Sequence, residues 1–242
     1  MTAVTYARYD LRRLYRNRRF FIFTLGFPLV LFLFVANSNK HVVVEGIPFP
    51  VFYLTGMVAW GTMNSVSAGG GIIALERAVG WTRQLRITPL PVRAYMATKV
   101  ATGYVMACTT IIVLYVAALS IPVHLTIGGW ALMTGLILVG LVPFAALGIF
   151  LGHTLSPDTM GPALGGIGAI FALLGGAFFP ISTSGTFYDI ARLLPSYWLV
   201  QAGRAGLTHK AWPLEGWVVL IVWTTGLSWL AMLAYRRDTG KA

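Results

Sequence analysis

The chain has 242 residues, 57% of them hydrophobic and only 10% charged, with a formal net charge of +11 and a pI near 10.2. So few charges cannot clothe a water-soluble globule of this length, in which about a quarter of residues are ordinarily charged. The single cysteine, Cys108, excludes an intramolecular disulfide.

Residues 1–19 carry Val4, Ala7, Leu11, Leu14 and Tyr15 at helical spacing, with Arg8, Arg12, Arg16 and Arg19 on another face. This pattern predicts an interfacial helix with its arginines among lipid headgroups. The apolar stretch 20–38 that follows is about as long as a helix needs to be to cross a bilayer. It is too long, and its basic flank too extended, for a cleavable signal peptide, so it is expected to stay as the first span.

A second span is expected over 50–73, after a short loop from Asn39 to Phe49. It holds a polar stripe of Thr62, Asn64, Ser65 and Ser67 before Gly69, Gly70 and Gly71. Asn64, Ser67 and Gly71 share a face, which suits either a buried helix contact or a translocation surface. Further spans are expected over 100–119, 129–152, 161–179 and 217–235. In the fifth, Gly161, Gly165 and Ala169 lie on one face at four-residue spacing, and Gly168, Ala172 and Gly176 form a second series. Small residues let helix backbones approach closely, against the same chain or a second copy. The gap 180–212 is divided by Pro180 and Pro195 into two short amphipathic segments, Thr186 to Leu194 and Tyr197 to Leu207. Backbone at membrane depth must be bonded internally or buried in protein, so these are expected to be re-entrant helices folded against the bundle.

The cations fall in alternate gaps. One side holds the arginines before the first span, then Arg77, Arg83, Arg86, Arg93 and Lys99, then Arg236, Arg237 and Lys241; the other holds Lys40, Arg192, Arg204 and Lys210. The richer side is expected to be cytoplasmic, with both termini inside. The same cations account for the net charge through anionic lipid, with no nucleic-acid partner required. The expected fold is an all-α integral membrane protein, one transmembrane domain over 1–242.

Several chemistries lack their residues. There is no Gly-x-x-x-x-Gly-Lys-[Ser/Thr] phosphate loop, no His-Glu-x-x-His zinc spacing and no Ser and His at a shared depth, so neither ATP hydrolysis by that loop, a metal site nor an enzyme is expected. No charge is expected at a span centre, where coupling ions are commonly held. A secondary transporter or channel remains as the alternative from another class.

The most specific local sequence is 74–91, ALERAVGWTRQLRITPLP. As a helix it would place Ala74, Ala78, Trp81 and Leu85 toward the bundle and Glu76, Gly80 and Arg83 toward the cytoplasm, flanked by Arg77, Gln84 and Arg86. Pro89 and Pro91 would end it. Through Glu76, Arg77, Gly80, Trp81, Leu85, Thr88, Pro89 and Leu90 the segment resembles the permeases of type-2 ATP-binding-cassette exporters, including daunorubicin-resistance-type drug exporters. Many members carry a second acidic residue where this chain has Ala78. The basic N-terminus, six spans and proline-divided region before the last span extend the resemblance over essentially the whole chain.

That resemblance implies a permease subunit in a bacterial plasma membrane, working as a homodimer or beside a related permease. A separate ATP-binding-cassette ATPase subunit would hold ATP and Mg, with no cofactor on this chain. The segment 74–91 would act as a coupling helix seated in that ATPase, through Glu76, Arg77, Gly80, Trp81, Arg83, Gln84 and Arg86. The cargo would be a hydrophobic or amphipathic, drug-like or lipid-like molecule; a lipid or polysaccharide/glycolipid exporter of the same family is the alternative.

Overall fold

The computed structural model describes residues 3–16, 18–44, 46–81, 84, 91–121, 125–182, 184–208 and 211–240. Helix α1 (Ala3–Arg16) runs into α2 (Arg18–Ser38), and a two-residue hairpin, β1 (Val43–Val44) and β2 (Ile47–Pro48), leads to α3 (Phe49–Ser67). Then come α4 (Gly69–Ala78), α5 (Val92–Ala118), α6 (Ile127–Gly140), α7 (Val142–Thr154), α8 (Pro157–Leu174), α9 (Thr186–Ala191), α10 (Pro195–Thr208) and α11 (Leu214–Gly240).

Helix α3 is the axis of the bundle. It packs against α2, α5, α7, α8 and α10 and is buried around nearly its whole circumference. Its hydroxyls are satisfied there: Thr62 Oγ1 donates to the Val58 carbonyl at 2.6 Å, and Ser65 Oγ lies 2.8 Å from Thr110 Oγ1 on α5. Only Ala68 separates α3 from α4, and its backbone stays helical (φ −64°, ψ −19°), so the two form one nearly continuous rod from Phe49 to Ala78. At Gly70 a Cβ would collide with the Gly148 carbonyl of α7; this glycine is required for the α4–α7 approach.

The rod corrects the reading of 74–91 as one surface helix. Residues Ala74–Ala78 complete α4, and the chain turns at Gly80, whose φ of +73° is the left-handed conformation that ends helices. Trp81 and Gln84 are helical beyond the turn, with Gln84 N–H donating to the Gly80 carbonyl at 3.4 Å. Arg83, Leu85, Arg86, Thr88, Pro89 and Leu90 lie outside the described residues.

Other boundaries shift for local reasons. The fourth expected span carries a single turn residue, Leu141, where Pro143 enters the first turn of α7 without a backbone donor, but the backbone stays helical through it (φ −79°, ψ −13°). The fifth begins earlier, at Pro157, and stops at Gly175, since Gly176 (φ +74°) closes it while the Ala177 amide bonds the Ala172 carbonyl at 2.9 Å. Gly176 therefore caps the helix and does not extend the second small-residue series. Among the described residues, three helices are long and apolar enough to cross a membrane: Val92–Ala118, Ile127–Thr154 through α6 and α7, and Leu214–Asp238 within α11; Thr24–Ser38 is a shorter apolar helix. The three overlap the third, fourth and sixth expected spans in position. Helix α11 packs on α7 and turns Val218, Ile221, Val222 and Trp229 outward, as lipid contact requires.

Candidate functional site at the arginine-rich end

Helix α1 does not merely lie on a surface; it packs on α5 and buries Tyr6 and Asp10, which are four residues apart and therefore on one face. Lys99 of α5 meets them, 2% exposed, with its Nζ 2.8 Å from Asp10 Oδ1 and 2.8 Å from Glu76 Oε1 of α4. The second carboxylate oxygens are held as well. Tyr95 OH donates to Glu76 Oε2 at 2.8 Å and Thr102 Oγ1 to Asp10 Oδ2 at 3.0 Å. Arg13 reaches Glu76 Oε1 at 3.5 Å from a half-exposed position. Two carboxylates and two cations balance, and the ammonium lies against the rings of Tyr6 and Tyr95, 5.4 and 5.3 Å from their centroids. Burial pushes the Tyr6 phenol up to about 12, so it stays neutral beside Lys99.

Arg77, the next residue, turns the other way. Its Nε lies 2.7 Å from Asp238 Oδ2 and its Nη2 donates to Asp238 Oδ1 at 2.9 Å, a two-pronged pair near the end of α11. Nη1 donates to the carbonyls of Gly152 (3.0 Å) and Leu155 (3.3 Å) at the end of α7. His153 Nδ1 is 3.1 Å from the same carboxylate, and its ring meets Tyr235 edge-on. Successive side chains on a helix diverge by about 100°. That divergence sends Glu76 to α1 and α5 and Arg77 to α7 and α11.

This placement corrects one part of the sequence reading. Glu76, expected on the charged face toward the cytoplasm, is 1% exposed, whereas Ala78 and Trp81, expected against the bundle, are exposed. The reason is the rod: residues 74–78 keep the phase of α4, and that phase points Glu76 at Lys99. Gln84 is exposed beyond the turn. Asp10, Tyr95, Lys99, His153 and Asp238 were not singled out by the sequence. Asp10 had a signal, as a lone acid within an arginine-rich helix and one turn after Tyr6.

A model of the ABC-2 type transporter family matches residues 3–208, which include α1 through α10 and hence both partners of each Glu76 contact. The chain belongs to that family. It is also 29% identical over 192 residues to the Bacillus subtilis (strain 168) protein named Putative transport permease YvfS, across 78% of each chain. The molecule is thus the permease component of an ABC transporter, a membrane transport subunit and not a catalytic one.

In this permease the polar stripe of α3 faces neighbouring helices. Asn64 Nδ2 donates to the Trp60 carbonyl at 3.1 Å, and its side chain covers Gly168 of α8 so closely that a Cβ there would collide with Oδ1. Ser67 Oγ donates to the Phe144 carbonyl of α7 at 3.2 Å. Gly71 faces Met160, 3.7 Å from where its Cβ would be. On α8, Gly168 and Ala172 are buried, while Gly161, Gly165 and Ala169 are exposed and do not pack within the chain.

Proposed function

We propose that this chain is the membrane-embedded half of an ATP-driven exporter, a six-span permease in a bacterial plasma membrane with both termini in the cytoplasm. It pairs with a second copy or a related permease, and with a separate ATP-binding-cassette ATPase that carries ATP and Mg. The observation that carries the reading is the Glu76–Arg77 node. The segment beyond Gly80 is fastened at its root to α1 and α5 by one residue and to α7 and α11 by the next. A push on Trp81, Arg83, Gln84 and Arg86 from a nucleotide-driven partner would reach both groups of helices together. The contacts of Asn64, Ser67 and Gly71 with α7 and α8, which would have to part for a pathway, and the open face of Gly161, Gly165 and Ala169 are the surfaces on which a pathway or a second permease would form.

The cargo in this reading is a hydrophobic or amphipathic molecule, drug-like or lipid-like, moved outward. Coexpression with an ATPase encoded beside this chain, copurification, and transport in proteoliposomes over candidate drugs and lipids test it. Export that needs ATP and the ATPase supports the reading. Export driven by an ion gradient in ATP-depleted vesicles overturns it.

A further inference from the structure

A cavity of about 430 Å³ opens at the arginine-rich end between α1, the α3–α4 rod and the first turns of α8. Its floor is apolar, with Ile72 and Leu164 among its residues, and its rim carries Arg13 and Arg16. Asp10 reaches the wall, but both of its carboxylate oxygens are engaged, by Lys99 and Thr102. Arg13 also reaches Glu76 Oε1 at 3.5 Å but stays largely exposed, and Arg16 is exposed as well, so the accessible charge at the rim is positive. Gly161 leaves the space open, since a Cβ there would meet nothing within 4 Å.

We propose that this cavity binds one anionic phospholipid of the cytoplasmic leaflet, its headgroup phosphate on Arg13 and Arg16 and the start of its acyl chains over Ile72 and Leu164. An apolar floor under a cationic rim, at the level where an interfacial helix lies, has the polarity of a lipid's glycerol region inverted onto protein. Arginine's fork suits phosphate oxygens. The two rim arginines act locally, unlike Arg8 and Arg12, which are exposed on the same helix and do not line the cavity. The site needs only the membrane orientation of the chain and would exist whatever the cargo or the energy source.

The full chain, purified in a neutral detergent, is titrated with dioleoylphosphatidylglycerol or dioleoylphosphatidylcholine, and retained lipid is counted by native mass spectrometry. One phosphatidylglycerol should be held in preference to phosphatidylcholine, and excess inorganic phosphate should not displace it. Arg16→Gln should weaken it about fivefold, and Gly161→Leu, which fills the cavity, should reduce retention to the phosphatidylcholine level. The double variant Arg8→Gln/Arg12→Gln should retain the preference. Absence of a preference, equal loss in the Arg8/Arg12 variant, undiminished affinity in Arg16→Gln, or displacement by inorganic phosphate each overturns the proposal. Should Gly161→Leu not yield monodisperse protein, Arg16→Gln against the Arg8/Arg12 variant decides alone.

Discussion

Glu76 and Arg77 are neighbours in sequence whose side chains hold opposite parts of the bundle, Glu76 through Lys99 at 2.8 Å and Arg77 through Asp238 at 2.7 Å. The first contact is buried and the second about one-quarter exposed. They should respond differently to substitution.

Lys99 compensates two buried carboxylates, so Lys99→Met leaves Asp10 and Glu76 facing each other with only Arg13 to answer them. A loss of about 3–5 kcal/mol is expected, visible as a lowered unfolding temperature of the purified permease or as failure to accumulate. Asp10→Asn should cost less, because Lys99 keeps Glu76.

Arg77→Gln removes the tie to α11. Partial exposure screens this pair, so about 1 kcal/mol is expected, with amide exchange rising near His153 and Asp238 and unchanged near Tyr95 and Lys99. Asp238→Asn should give the same local pattern.

Gly70→Leu should abolish folding, because the Gly148 carbonyl occupies the space its Cβ needs. Gly165→Ala, on the open face of α8, should leave the monomer's thermal stability within about 0.5 kcal/mol of the parent. A fold that accepts Gly70→Leu would contradict the α4–α7 contact.

The buried position of Glu76 separates two charge reversals that the motif alone treats alike. Glu76→Lys sets a second ammonium against Lys99 and should fail to yield folded protein. Arg83→Glu should insert and fold normally but lose cargo stimulation of the partner's ATPase, measured on the copurified complex.

Much of this molecule could be read from the chain because bilayer spans are long uniform signals. The stretches 100–119, 129–152 and 217–235 correspond to helices that pass by length and composition. What escaped was phase. Reading 74–91 as a new helix reset the face of Glu76, and nothing local in Ile73 or Ala74 marks that α4 simply continues to Gly80. The Lys99 cluster escaped for a related reason. Asp10, Glu76 and Lys99 are separated by 66 and 23 residues, so each looked like a flank charge until α1, α4 and α5 were packed together. Hydropathy runs straight through Pro143 and Gly176, and Gly176 looked like one more member of a small-residue series.

Cys108 is the sole cysteine, so a Cys108→Ala background permits one reporter thiol at a time. Gln84→Cys is exposed just past the Gly80 turn, and Gly128→Cys lies at the opposite end of the bundle, at the start of α6. With the ATPase coexpressed in intact cells, a short membrane-permeant crosslinker that takes a thiol at one end and an amine at the other should join position 84 to the ATPase subunit and leave position 128 unjoined to it. No adduct at 84, or labelling of 84 by a membrane-impermeant reagent added outside the cell, would contradict the account.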